Sequence, residues 1–547
     1  MIKAPSEVKD MADAVNLDAL MMREQFDSED GAAAGQSGKN HVGKTDLTKG
    51  ESFYMTLRKP DFQRETAAWS PDAVCRFLAS FIDGDLIPAV ICWQSASRLT
   101  FVIDGAHRLS AVIGWLLDDY GAGDESIKFY NNRIPLNQRV IHEKTKAQVD
   151  KEIGSYKDIM AETQNPNSNP KLSARARSLG NATIPLLWVP GNDSEKAERA
   201  FLTINQSAVE IDPTEFTILN SRSKPNAISS RAIVRNGTGY RYWKGFSIGG
   251  QHKVESTGKS IYSALYSPPL DPPIRTTDLP IAGHGYGSQT LPLIFDFVNI
   301  ANNIPVVDTS KKSKRSFEVI KEEPNEEATI SCLAKTQKMT HKLTGTDPAS
   351  LGLHPAVYFY APNSRHQPTT VLAIAAFLKE LETKNLFLKF TEVRATFETF
   401  LIEHKMYVNQ LTIKHGSMAK GFRSIKDLYM FVFERLMEGD SPEKIEEGLR
   451  NHDKFQTLVK ERPILTKQSK EFSRAVKDTI VISDVLANAS LCDLCHARID
   501  LKSIHVDHIQ DRSKGGLGTA DNARLLHPYC DSTYKYYLEK KGKGLST

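Results

Sequence analysis

Two pairs of metal-binding side chains stand near the end of this 547-residue chain: Cys492-x-x-Cys495 and His527-x-x-Cys530. Their spacing suits tetrahedral zinc, and three thiols with an imidazole favour zinc over magnesium. Between the pairs lie His505-Val506-Asp507-His508-Ile509, then Gly515-Gly516 and Asn522, and Asp531 follows the second pair. A module this short cannot hold a core unaided, so a structural zinc would supply the missing folding free energy. Cleaving a phosphodiester needs an activated nucleophile, charge neutralisation on the phosphate and help for the leaving oxygen. A histidine can take the proton from water, and Arg512, Lys514 and Lys535 can contact flanking phosphates. The zinc half-sites alone leave a zinc knuckle that binds DNA without cutting it equally open.

The order of these residues resembles the HNH family of ββα-metal nucleases: a cysteine pair, Asp-His, Gly-Gly, Asn, then a second metal-binding pair. The resemblance implies that His508 is the general base and that Asp507 ligates a catalytic Mg²⁺ or Mn²⁺. It further implies that Asn522 fixes the imidazole of the base. The family's closing Asn or His falls on Asp531, whose carboxylate also suits a hard cation. Cys492, Cys495, His527 and Cys530 then hold the structural zinc, with His527 where many members have cysteine. His505 shares a strand face with Asp507 by period two. It reads as an ordinary polar strand residue that is also placed to support the metal site.

A second motif, Asp104-Gly105-Ala106-His107-Arg108, sits at a strand-to-helix junction. Glycine there lets backbone approach a ligand, the helix start offers free N–H groups to an anion, and Arg108 can fork onto phosphate. The plain alternative is a turn whose arginine makes a surface ion pair. Phe62-Gln63-Arg64 with Trp69 lies upstream, and Phe201 to Gln206, Asp212 and Glu215 lie downstream. This set resembles the ParB-like domain with a DGQQR or DGQHR motif found in GmrSD-type modification-dependent restriction enzymes. The resemblance spans about residues 53–220 and implies nucleotide binding through Gln63, Arg64, Asp104, Gly105, His107, Arg108 and Asn205. It also implies NTPase activity, which Ala106 in place of the motif's first glutamine puts in question.

The elements that must carry these motifs read as an α+β multidomain chain. Residues 1–50, poor in large apolar side chains, read as a flexible tail. Ser70-Pro71 reads as a helix start, with Val74, Phe77, Leu78 and Phe81 on one face. Strands are predicted over 87–93, 99–103 and 184–189, a helix follows Gly105, and another starts at Ser194. These make an α+β domain over 51–245. Helical periodicity at Val371, Ile374, Leu378 and Leu381, and again at Leu428, Phe431, Val432 and Leu436, marks a mostly helical middle region over 246–480. Within it, 246–345 carries proline-rich pieces and the basic run Lys311 to Arg315. The nuclease module occupies 481–547.

A net charge of +4 is too small to argue for nucleic acid by itself. No apolar run approaches the roughly 18 residues that span a bilayer, and no signal-peptide pattern opens the chain. The expectation is a cytoplasmic protein in which clustered cysteines bind metal rather than pair. Its partners are DNA and a nucleotide, with oligomer formation left open. The expected function is a restriction or antiviral-defence endonuclease, gated by nucleotide or DNA modification at its N-terminal domain. The alternative is a non-enzymatic DNA-binding regulator with an inert zinc module.

Overall fold

The computed structural model describes residues 14–25, 39–61, 63, 65–134, 136–164, 169–191, 193–208, 213–270, 274, 276–285, 289–306, 324–415, 418–459, 472 and 474–542. The basic run Lys311 to Arg315, Arg64, Phe62 and Asp212 lie outside them, as do the side chains of Asn205 and Glu215. No helix among the described residues is long and apolar enough to cross a membrane.

The N-terminal part is built on six strands: β1 (Arg23–Glu24), β2 (His41–Gly43), β3 (Leu57–Pro60), β4 (Val90–Gln94), β5 (Thr100–Asp104) and β6 (Thr183–Trp188). They form one mixed sheet in the order β1-β3-β5-β4-β6-β2. β4 and β5 are an antiparallel pair, whereas β3 runs parallel to β5 and β6 parallel to β4. Three expected strands and the helices starting at Pro71, Ala106 and Ser194 are all present. Ser70 caps the Pro71–Asp83 helix by accepting from the Ala73 N–H at 3.3 Å. Val74, Leu78 and Phe81 of that helix are buried against Leu109, Val112 and Ile113.

Residues 1–50 depart from the expected tail wherever they are described. Val15, Leu17 and Leu20 are buried in the first core. β1 adds to one edge of the sheet through β3, and β2 to the other through β6. Few apolar residues are needed when each lands on a sheet that is already assembled, so averaged composition hid them. Asp18 lies within this core and is met by Arg23 at 2.6 Å and Lys59 at 2.7 Å.

The largest core is helical. It begins ahead of residue 246, because Ile228, Ala232 and Ile233 of the Pro225–Val234 helix belong to it. The helices Ile248–Tyr266, Thr290–Ala301 and Glu326–Leu343 fill the stretch that the sequence left hard to read. Glu326–Leu343 buries Thr329, Thr336 and Thr340 among Cys332, Leu333, Met339 and Leu343. Each threonine hydroxyl donates to the carbonyl four residues back, at 2.6, 2.9 and 3.0 Å. Burying polar groups satisfied in this way interrupts the apolar stripe that a periodicity reading looks for.

The C-terminal module has its own small core of Cys492, Cys495, Ala497, Ile499, Leu526, Cys530 and Tyr534. Strands β7 (His505–His508) and β8 (Ala523–Leu526) form its hairpin, and a helical segment runs from Cys530 through Lys535–Gly542. The middle region grips this module closely. Buried Arg394 and Glu398 pair at 2.8 Å. Arg394 also donates to the carbonyls of Leu351, Gly352 and Arg498, and Glu398 accepts from the Arg498 N–H at 2.9 Å.

Candidate metal centre and nuclease site

The Cys492-to-Cys495 segment turns back on itself, with the Cys492 N–H donating to the Ala497 carbonyl at 2.9 Å. His496 adopts a φ of 59° within this turn. The second half-site begins where β8 ends, at His527. All four ligand atoms lie within 4.8 Å of one another, and all four residues are buried. The Nδ1 of His527 is 3.3 Å from the Cys495 sulfur and 3.7 Å from that of Cys530. Its Nε2 lies 3.1 Å from the Arg498 carbonyl, which fixes the ring so that Nδ1 faces the sulfurs. Neighbouring sulfurs hold the Cys492 thiol far below its ordinary value, while the same contact from Cys492 pushes Cys495 up to about 12. Three sulfurs this close cannot share their protons comfortably, and a divalent cation relieves that conflict. The donor set and its compactness therefore fit zinc.

Gly352 of the middle region lies directly against this centre. Its φ is +53°, and a Cβ there would come within 2.7 Å of Ser503 and 3.0 Å of the His527 ring. The backbone of one region thus reaches a zinc ligand of the next.

The hairpin register pairs Asp507 with Arg524 and His508 with Ala523. Asp507 accepts from Arg524 at 2.8 and 3.2 Å and from the Lys535 ammonium at 3.1 Å. Burial raises its proton affinity, but these cationic donors outweigh burial and hold the carboxyl below its usual range. Lys535 also reaches Asp531 at 3.2 Å, and Asp531 in turn lies 3.4 Å from the Nδ1 of His505. Asp507 and Asp531 thus both reach the Lys535 ammonium, so the place between the two carboxylates already accepts positive charge. Two carboxylates meeting at one cationic position offer the oxygen ligands that a hard divalent cation takes, with His505 against Asp531. His508, at the end of β7, lies beside Arg512 at 3.4 Å from ring nitrogen to Nε.

Asn522 lies in the loop between the two strands of the hairpin, just ahead of β8. Its amide accepts from the Gln510 N–H at 2.7 Å and donates to the carbonyls of Leu517 at 2.7 Å and Gln510 at 3.2 Å. It braces the loop between the strands and makes no hydrogen bond to the His508 ring. Gly516 is needed in the same loop, because a Cβ there would meet the Gln510 carbonyl oxygen at 1.8 Å. Arg524 escaped the sequence reading, although a hairpin register would have set it opposite Asp507. Arg394 and Glu398 escaped because they lie on a helix of another region.

In the N-terminal motif, Gly105 has a φ of 94° and opens the Ala106–Leu117 helix. Arg108 pairs with Asp104 at 2.6 Å and folds over Gly105, where a Cβ would meet its guanidinium at 2.8 Å. His107 accepts from the Ala68 N–H at 3.3 Å and stacks on Trp69. The Gln63 amide oxygen is buried without a hydrogen-bond partner. Gln63, Asp104, Gly105, His107 and Arg108 thus fall on the sheet's β3 and β5 ends and the first turn of one helix.

Comparison with known families finds one match, to HNH endonuclease, over residues 492–536. No curated protein and no solved structure matches the chain. The matched segment holds both zinc half-sites, the hairpin and Asp531, so the C-terminal module is an HNH endonuclease domain with a Cys/His metal cluster.

Proposed function

We propose that the chain is a DNA endonuclease in which His508 removes a proton from the attacking water. Asp507 and Asp531, with His505, would hold the divalent ion. When bound, that ion neutralises phosphate charge and stabilises the leaving oxygen. Arg524 and Lys535 keep Asp507 ionised and ready for it, and Asn522 keeps the loop after His508 in place. The observation that carries the reading is that Asp507 and Asp531 both reach one cationic position, with His505 against Asp531.

The N-terminal part would bind a nucleotide through Gln63, Arg64, Asp104, Gly105, His107, Arg108 and Asn205, with or without hydrolysing it. A restriction or defence role gated there follows from the ParB-like resemblance. The buried, unpartnered Gln63 oxygen supports a ligand at that place. The competing reading, an inert zinc module in a DNA-binding regulator, draws on the two cations that occupy Asp507. Cleavage of a DNA duplex with Mg²⁺ or Mn²⁺ separates the two. Loss of a general base typically costs about 10²–10⁴ in rate, so His508→Ala should abolish visible cutting while zinc content stays unchanged. Equal cutting by both proteins would reject the nuclease mechanism at this site.

A further inference from the structure

A cavity of about 260 Å³ opens where the N-terminal sheet region meets the helical region. It lies apart from both sites described above. From the N-terminal side come Arg133 and Ile134, and from the helical side Asn236, Lys259, Tyr262 and Tyr266. Among the described residues no carboxylate lines it, and neither Arg133 nor Lys259 has an ion-pair partner. Both cations are exposed, at the rim.

Inside the rim the chemistry changes. The Tyr262 and Tyr266 rings lie 4.9 Å apart at 39°. Tyr266 is 3% exposed, yet its hydroxyl has no hydrogen-bond partner. The Asn236 amide oxygen is buried and equally without one. Buried tyrosine hydroxyls and amides normally find partners. Gly285 keeps the space clear, since a Cβ there would come within 2.3 Å of the Tyr262 oxygen.

We infer that this cavity is a nucleotide-binding site. Its ligand is a nucleobase carrying a phosphate, with the phosphate at Arg133 and Lys259 and the base against the tyrosine rings. The amide of Asn236 and the hydroxyl of Tyr266 then read the edge of the base, as asparagine reads adenine and aromatic residues hold unstacked bases. A simple anion site would leave the amide, the hydroxyl and the aromatic wall unused. The wall also touches the nuclease domain: the carbonyl of Ser267, another lining residue, accepts from Lys502. The base can come from a free nucleotide or from a nucleotide extruded from a strand, since the contacts are the same for both.

The test uses the full chain carrying His508→Ala, so that binding is measured without cleavage and whatever the fate of the nuclease reading. The four deoxynucleoside monophosphates and inorganic phosphate are titrated separately by calorimetry. At least one monophosphate should bind saturably, at least about tenfold more tightly than phosphate. Arg133→Glu should weaken that binding about tenfold, because it reverses a charge at the phosphate. Tyr266→Phe and Asn236→Gly should each weaken it several-fold; both keep the local shape, glycine suiting the φ of 55° at Asn236. A duplex with one bulged nucleotide that competes, when its fully paired parent does not, identifies the strand as the source. Absence of competition by either identifies a free nucleotide. The inference is overturned if no monophosphate binds, if phosphate binds equally well, or if Arg133→Glu and Tyr266→Phe leave binding unchanged.

Discussion

The two ends of the chain hold charge and shape by opposite means. The N-terminal sheet region buries a broad aliphatic core and sinks an ion cluster into it, with Asp18 facing Arg23 and Lys59. The nuclease module buries only seven core residues, three of them cysteines that converge with His527. One region is organised by area removed from water and tolerates local change; the other depends on a single point of cross-linking. Consequently a lost zinc ligand and a lost buried ion should differ in size and in how far their effects spread.

The largest effect is expected from Cys495→Ser. Structural zinc contributes about 10–16 kcal/mol of apparent binding free energy in small domains, more than the module's own core can replace. The variant should lose the roughly one zinc per chain expected of the wild type and expose residues 488–542 to protease. All five tryptophans lie between Trp69 and Trp243, so tryptophan fluorescence should hardly change. Metal analysis finding no zinc in the wild type would remove the basis of the comparison. A fluorescence change as large as that of full unfolding would show that the two ends fold as one unit.

Asp18→Asn tests the other end and should cost about 3–5 kcal/mol, the usual result of leaving buried charges without their partner. Burial alone would raise the Asp18 pKa, but Arg23 and then Lys59 outweigh it and hold the carboxyl well below its ordinary value. A depressed carboxylate contributes stability above its unfolded pKa, near 3.9, and that stability is lost as pH falls through the folded value. Wild-type tryptophan fluorescence should therefore report an acid transition below about pH 4. The variant should start less stable and show a flatter decline there. The same acid limb in both proteins would mean that other carboxylates dominate it.

The same contrast explains what could be read from the residues alone. In the nuclease module, ligand identity and order carry the information, so the cluster of Cys492, Cys495, His527 and Cys530 was legible without any structure. Side-chain partnership was not: Asn522 braces Gln510 and Leu517 rather than the base, and His505 approaches Asp531. Those contacts depend on how the loop closes and where the helix returns. In the N-terminal part, periodicity revealed the helices at Pro71 and Ala106 and the central strands. It missed β1 and β2 because two- and three-residue strands carry almost no pattern. The helix Glu326–Leu343 was missed for a different reason, a buried face in which threonines interrupt the apolar residues.

The smallest stability effect is expected at Arg108, and it sharpens the comparison most, because there structure and ligand binding should separate. The Arg108–Asp104 pair is one helical turn apart, with its side chains 16% and 40% exposed. Pairs of that kind are worth about 0–1 kcal/mol, so Arg108→Ala should leave the fluorescence transition nearly where it was. If the turn captures phosphate, the same substitution removes a charge-assisted contact worth about 1.5–3 kcal/mol, roughly ten- to a hundredfold in nucleotide affinity. Gly105 is the control. Its φ of 94° and the 2.7 Å approach of a Cβ to Val90 make Gly105→Ala a change to the backbone itself. That variant should lose stability and binding together, whereas Arg108→Ala should lose binding alone. Nucleotide affinity measured for both, beside their melting curves, decides the matter. Unchanged affinity in Arg108→Ala would make Asp104-Gly105 a turn that opens a helix, with its arginine in an ordinary surface ion pair.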